Sequence, residues 1–450
     1  MTPESDGVRH QPSELRQRWG LVAASATLMA VSSGVWYAAS VFFVALVQEF
    51  KSDYASTAGI FSLFTVLYGI WGVLAGSLLD RLGPRRVVVA GGILLPLALA
   101  SSGLATNLSH LYLTHGVLTP LGLSLMGYVP VSVLITRSFV ARRGLALGLA
   151  SAGVGVGISV VVPLTQLLID RAGWRVAYFG LAAIAAGVIL PIGLFALRGG
   201  RISLPSMPGA GAVASPALSS PGGGREWTLA AALRSREFWL VTAAFTCLNS
   251  PNQLVLTHQV AHFVEAGQTK ILVAGIVGLV GLVSIPGKIL WGYLADRWWP
   301  EWIYLTGCAF VVAGIAVLLA IGPVSPLWHL YLYAALMGVG YSVSPAMTPI
   351  MCGVFFGGPH FGVIFGALNM LYHAGGAAGI WLAGYAHDVT GNYLLPFSAS
   401  IVSVTATVFL VWLAAPRRLR ARSAERQAPR QTETIQEATT KNRSASRPSP

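Results

Sequence analysis

Apolar residues in this chain gather into long continuous runs, and the polar residues are confined to the gaps between them. A run of about 20 residues is enough to cross a bilayer as a helix. Such runs fall at about 20–47, 55–79, 87–106, 109–136, 144–169 and 176–197, and resume at about 238–264, 271–295, 302–321, 327–352, 361–386 and 393–414. The pattern predicts an all-α membrane protein with twelve spans in two six-helix bundles. A β-barrel is excluded, because the runs do not alternate in ten-residue units.

Domain boundaries follow from the gaps. A polar N-terminal tail covers 1–18, the first bundle 19–197, a linker 198–236, the second bundle 237–414 and a basic tail 415–450. Arg198 to Gly224 is rich in Gly, Pro, Ser and Ala without apolar periodicity, so it reads as a flexible linker. Trp227 to Arg236 reads as a short amphipathic helix on the membrane surface, and the basic tail as disordered. The first apolar run follows three arginines with no small-residue cleavage site, and is expected to stay as an anchor.

Composition narrows the class. The chain is 54% hydrophobic and 10% charged, against roughly 25% charged in a soluble domain, which excludes a soluble enzyme. A net charge of +13 suggests nucleic acid until the charges are placed. With the N-terminus inside, Lys51, Arg171, Arg175 and Lys270 lie outside, and all other Lys and Arg except Lys288 lie inside. That asymmetry sets topology and makes no nucleic-acid face; both termini and the linker are expected in the cytoplasm. Cys247, Cys308 and Cys352 all sit in apolar runs, so no disulfide framework is implied.

The gap between spans 2 and 3 reads Gly76-Ser-Leu-Leu-Asp80-Arg81-Leu-Gly83-Pro-Arg85-Arg86, and Gly292-Tyr-Leu-Ala-Asp296-Arg297 echoes it at an offset of 216 residues. Asp80 can meet cations and a helix N-terminus of the other half, and the glycines permit close approach. Recurrence at matching places in the two halves indicates internal duplication. The first loop resembles the signature of the major facilitator superfamily.

The start of span 5, Phe139-Val-Ala-Arg142-Arg143-Gly-Leu-Ala-Leu-Gly148-Leu-Ala-Ser-Ala-Gly153, resembles the second signature of the monocarboxylate transporters, with Ser138 and Ala141 departing from it. Gly173-Trp174-Arg175 and Asp388-Val-Thr-Gly391-Asn-Tyr393 are similar to segments of that group and of the oxalate–formate antiporters. The resemblance covers 19–414. It implies the major facilitator fold, with Gly76, Asp80, Arg81, Gly83, Arg85, Arg86, Arg142, Arg143, Asp296 and Arg297 gating the cycle. Animal members open span 1 with an acidic residue; Gln17-Arg18-Trp19-Gly20 has none, which favours a bacterial branch and an inner-membrane location.

Lys288 is the one unambiguous ionisable residue at membrane depth, about 12 Å of helix before Asp296. Gly281, Ser284 and Gly292 share its face, as a cavity wall requires. The competing reading is a lysine that snorkels to the headgroups. The resembled families place a substrate-binding Arg at this step; Lys supplies a point charge without the bidentate fork. No carboxylate shares its depth in the sequence, so the cavity favours an anion. Oxalate–formate antiporters add a Lys in span 11, where this chain has Tyr372-His373-Ala374-Gly375-Gly376, so a monocarboxylate fits better than a dicarboxylate.

Further lining candidates are Tyr68, Tyr128, Asn369, Tyr372 and His373, with interhelical hydrogen bonding as the alternative for each. Tyr37 reads as an interfacial aromatic, and Asn249-Ser250-Pro251-Asn252-Gln253 as a Pro-broken, cavity-lining stretch, with Asn252 the chosen ligand. His258 and His262 are four apart but lack further ligands, so no metal is expected. Gly153, Gly155 and Gly157 suggest tight packing of span 5, with a bend at Pro163. His373 is the histidine best placed to carry a proton.

The expected function is secondary active transport of small organic monocarboxylates by alternating access, coupled to H+ and without a cofactor. Carboxylate exchange of the oxalate–formate type and a non-transporting sensor are the alternatives. The expected partners are the anion and the bilayer; the oligomeric state is open, and a monomer is compatible.

Overall fold

The computed structural model describes residues 12–139, 143–196, 227–295, 297–356 and 360–414. Most of the linker and the whole basic tail therefore lie outside the described residues, as do Arg142 and Asp296. Among the described residues, nine helical stretches are long and apolar enough to cross a membrane. One of them, Ala146–Phe195, holds two spans, since Gly173 at φ 84° and ψ 163° breaks the helix between them. Only a residue without Cβ adopts that backbone readily. Spans 4 and 7 complete the twelve: the first is broken into pieces and the second is rich in polar residues.

Span 1 runs through Trp19–Phe50, and the helix Pro12–Tyr37 extends into the segment read as a tail. Span 2 is Tyr54–Leu82, span 3 Pro84–Gly103. Span 4 comprises Leu108–Leu111, a π-helix at Tyr112–Leu118, Thr119–Ser124 and Tyr128–Ser138. Pro120 cannot donate into this ladder, and the Thr119 hydroxyl donates to the Thr114 carbonyl at 2.9 Å. The single helix expected at about 109–136 is thus replaced by two, a continuous one through 108–124 that contains the π-helical stretch and Tyr128–Ser138, with the interruption at 125–127. Spans 5 and 6 share Arg143–Pro191. In the second half, span 7 is Arg236–Glu265, span 8 Lys270–Ala295, span 9 Pro300–Ala320, span 11 Phe361–Thr390 and span 12 Leu394–Ala414. Span 10 bends at Ser342, between Leu327–Tyr341 and Val343–Phe356. A single helical turn, Leu229–Leu233, precedes span 7, shorter than the amphipathic helix expected there.

Span 7 is a correction. The stretch around Pro251 is continuous helix, where a break was expected. Pro251 leaves the Cys247 carbonyl without its helical donor, and the Ser403 hydroxyl of span 12 donates to it at 2.8 Å. Repair of the freed carbonyl by a neighbouring helix is how membrane helices tolerate proline.

The glycines of span 5 divide between two neighbours. Side chains at Gly153 and Gly157 would run into the carbonyls of Ala26 and Ala30 in span 1, inside the first half. Gly155 faces the other half, where an added Cβ would lie 2.6 Å from the Gly281 carbonyl of span 8. Backbones this close pack on small residues, without a hydrophobic driving force.

Candidate functional site

Among the described residues, the polar contacts between the two halves gather toward one face. Both the start of span 1 and the end of span 12 lie on what is here called the terminal face. At the opposite face, Asp388, at the end of span 11, reaches across to span 2. Its two carboxylate oxygens accept the backbone N–H groups of Tyr54 and Ala55 at 2.8 and 2.7 Å. These are orphan donors of a helix N-terminus, which favours a negative charge. Tyr54 also donates its hydroxyl to Glu265 of span 7 at 2.8 Å and stacks on His387 with ring centroids 3.9 Å apart. Glu265 in turn lies 3.1 Å from His387 Nε2. Tyr393 closes the cluster by hydrogen-bonding His258 at 3.0 Å. The Asp388–Tyr393 segment, noted in the sequence for its resemblance alone, therefore builds an inter-half latch.

Further bonds between halves lie beneath the latch. Lys270 donates to Gln48 at 2.8 Å, Ser62 to the Ala377 carbonyl at 2.8 Å and Ser159 to the Gly278 carbonyl at 2.8 Å. A small cavity of about 20 Å³, room for roughly one water, separates spans 1, 2, 7 and 11; Trp36, Ser40, Thr65, Gln253 and Thr257 help to line it.

On the terminal face fewer residues are described. Residues 128–138 of span 4 and 343–356 of span 10 pack mainly within their own halves. Arg81, Arg85 and Arg86 are exposed, and Gly83 and Gly292 have open space where a side chain would stand. Gly83 takes φ 77°, which ends span 2 and lets Pro84 begin span 3. Arg297 stacks on Tyr293 at 3.8 Å. Gly76 lies within the span 2 helix, and Asp80 and Arg143 belong to the helices of spans 2 and 5. Among the described residues, the polar contacts between the halves gather toward the opposite face.

Lys288 lies between these two faces, half-buried on span 8. Its ammonium is 3.4 Å from the Ser284 hydroxyl and 5.6 Å from the centroid of the Tyr341 ring. Among the described residues no carboxylate pairs with it. Tyr341, on span 10, is hydrogen-bonded through its hydroxyl to that of Tyr37 on span 1. Tyr37 is therefore no interfacial aromatic: it ends at an inter-half contact, beside the group that flanks Lys288. Neither Tyr341 nor this bridge was singled out in the sequence, because the two hydroxyls that meet lie in different halves of the chain.

The remaining candidates divide. Tyr68 and His373 come together with Trp36, the rings 4.7 to 6.1 Å apart. Tyr372 adjoins His373, and its backbone carbonyl accepts a bond from Asn249 at 2.7 Å. Asn252 is buried; its amide nitrogen is 3.4 Å from the Ser344 hydroxyl, and its carbonyl oxygen has no partner. Asn369 is half-buried and Tyr128 is 40% exposed. His258 and His262 turn to different partners, the first bonding Tyr393 and the Ile380 carbonyl, the second the Leu318 carbonyl at 3.1 Å.

Two helical bundles joined at one face, with a cation between the faces, have the architecture of a secondary transporter. A family model described as the Major Facilitator Superfamily matches residues 25–379 and, in an overlapping match, 262–447. The chain belongs to the major facilitator superfamily, in the branch of the monocarboxylate transporters, and is a transporter and not an enzyme. It is 29% identical over 405 residues to monocarboxylate transporter 13 of Bos taurus, covering 86% of this chain and 87% of that protein. Human monocarboxylate transporter 11 is 29% identical over 430 residues, covering 93% and 86% of the two chains. Monocarboxylate transporter 3 of Rattus norvegicus is 30% identical over 406 residues, covering 87% and 79%.

Proposed function

We propose that the chain carries small organic monocarboxylate anions across the membrane, together with protons, by alternating access. Lys288 carries this reading: a cation at membrane depth, among the described residues without a carboxylate partner, has its charge unsatisfied until an anion arrives. The names of the relatives support the substrate class. Lys288, Tyr68, Tyr128, Asn252, Asn369, Tyr372 and His373 form the proposed binding region. Asp80, Arg81, Gly83, Arg85 and Arg86, with Arg142, Arg143, Asp296 and Arg297, form the proposed terminal-face gate, closing when the Asp388 latch opens. The charge asymmetry of the loops supports a cytoplasmic terminal face, and the lack of an acid before Gly20 supports a bacterial inner membrane. The proposed units remain 19–197 and 237–414, joined by the linker 198–236.

Uptake of labelled lactate, pyruvate and acetate into proteoliposomes, with and without a pH gradient, tests the reading. Lys288→Ala is expected to reduce uptake more than about 100-fold, the scale of a lost charge-assisted contact, while Lys288→Arg keeps part of it. Near-normal affinity in Lys288→Ala would show that the lysine merely snorkels. Exchange of carboxylates is the second reading, favoured by the lack of an intramembrane carboxylate near Lys288 among the described residues; uptake indifferent to the pH gradient would select it.

A further inference from the structure

We propose that the second half carries a tryptophan-lined surface that docks at the headgroup level of both leaflets, so that the bilayer holds this half while the first half does most of the tilting. The inference rests on the alternating-access reading above and not on the identity of the anion. Among the described residues, the exposed tryptophans all belong to the second half, each between 41% and 65% exposed. Trp239, Trp298, Trp299, Trp302 and Trp412 stand at the terminal ends of spans 7, 8, 9 and 12. Trp328, in the first turn of span 10, and Trp381 of span 11 lie toward the opposite face.

The tryptophans of the first half turn inward instead. Trp19 packs against Phe139, Trp36 against Phe64 and Tyr68, and buried Trp174 against Phe50 and Tyr178. Trp71 is half-buried. At its span ends this half exposes aliphatic or phenyl side chains such as Leu82, Leu104, Val176 and Phe195.

An indole is apolar over most of its ring and polar at its N–H, so it is most stable where acyl chains meet headgroups. Two belts at separate depths point to a bilayer as the partner. Span 9 carries Trp302 in its first turn and ends at Ala320, about 27 Å of helix further on. Trp328 opens span 10 at that far level, so the belts are spaced by roughly the 30 Å of a hydrocarbon core. Trp381 and Tyr385, stacked at 5.5 Å, strengthen the opposite belt. Arg297, held over the Tyr293 ring at 3.8 Å, adds a cation for lipid phosphates to the terminal one. Tilting a half lifts one side of its rim and lowers the other, which drags each indole into water or into acyl chains. Interfacial anchors therefore set tilt. Resistance to tilting is unequal in the two halves, and the rocking that alternating access needs falls mainly to the first.

The test uses the full-length protein in nanodiscs of phosphatidylethanolamine and phosphatidylglycerol, with Cys247, Cys308 and Cys352 replaced. Nitroxides are placed on Leu104→Cys of the first half and Val324→Cys of the second, both exposed toward the opposite face. Asp388→Asn with Gly155→Leu weakens the contact between the halves there. The distance between the nitroxides should grow, and the depth of the Leu104→Cys label in the bilayer should change several-fold more than that of the Val324→Cys label. Replacing Trp298, Trp299, Trp302 and Trp328 by Leu keeps the apolar area and removes the N–H groups, and the two depth changes should then become equal. Val176→Trp with Phe195→Trp, one at each end of span 6, gives the first half anchors of its own and should shrink the excursion of the Leu104→Cys label. Equal depth changes with all tryptophans in place, or an unchanged ratio in both sets of variants, overturn the proposal and leave alternating access standing. A nitroxide distance that neither Asp388→Asn with Gly155→Leu nor added pyruvate moves removes the alternating-access reading, and this inference with it. Lipids brominated near the headgroup end of the chain should quench more fluorescence from the wild type than from the Leu variant. Equal quenching would mean that another protein surface, such as a second copy of the chain, covers these indoles, and would overturn the docking.

Discussion

Replacing Asp388 with Asn isolates the latch with little change of shape. Asp388 accepts two backbone N–H groups of the other half at 2.8 and 2.7 Å. Asn keeps one acceptor oxygen, turns the other into a donor and removes the charge from the helix N-terminus. A hydrogen bond to a charged group contributes about 1.5–3 kcal/mol, and a charge at a helix end about 0.3–1 kcal/mol. Asp388 is exposed, so water recovers part of both. The net weakening of the closed face is about 1.5 kcal/mol, or roughly tenfold in its population relative to the open one. Span 2 itself should survive, since its own cap, Asp53, accepts the Ser56 N–H at 2.8 Å. The Ser56 hydroxyl and amide hold the Asp53 carboxyl below its usual range, so that cap stays charged at neutral pH.

The reporter is Thr257→Cys, which lines the small cavity beneath the latch, in a chain whose Cys247, Cys308 and Cys352 are replaced. A membrane-impermeant maleimide applied at the opposite face should label it about tenfold faster once Asp388→Asn is added. An unchanged labelling rate would mean that the carboxylate does not hold the halves together.

Two further expectations concern packing and orientation. Gly155→Leu should push spans 5 and 8 apart, at a cost of about 1–3 kcal/mol to the state closed at the opposite face. Labelling of Thr257→Cys should then rise and transport fall, and normal turnover would show that this approach is dispensable. Ser215→Cys should react only from the cytoplasmic side and Ser109→Cys only from the other; labelling of Ser215→Cys from the non-cytoplasmic side would invert the proposed topology.

Hydropathy exposed the spans because burial in lipid forces almost every position of a helix to be apolar. It said little about where a helix bends. Pro251 looked like a break and is not, since the donor that repairs the Cys247 carbonyl, Ser403, comes from span 12. Span 4 looked continuous and is interrupted at 125–127, where Gly127 leaves the helical backbone region, and no residue type there announced the break. Gly155 was legible as a packing residue, but its face was not: Gly153 and Gly157 turn to span 1, and only the fold shows that the residue between them meets the other half. Asp388 was recognised by resemblance without a mechanism. Its partners are backbone amides, which leave no trace in the residue types of span 2.

The kind of bond that joins the halves has its own consequence. At the opposite face they are held by hydrogen bonds between side chains and backbone, by one partly exposed tyrosine–carboxylate pair and by the glycine approach of spans 5 and 8. Each net hydrogen bond contributes about 1 kcal/mol, so this polar share amounts to a few kcal/mol, beside apolar contacts such as Phe43 on His258 and Ile158 on Gly281. Moving a two-state equilibrium from 1:99 to 99:1 takes about 5.5 kcal/mol. The polar share of the latch therefore lies within the range that one bound anion on Lys288 can offset, and widening its apolar share would hold the carrier longer in one state. The polarity of the latch and the lone charge of Lys288 are thus matched, and substitutions that make the latch apolar should slow the carrier even where they stabilise it.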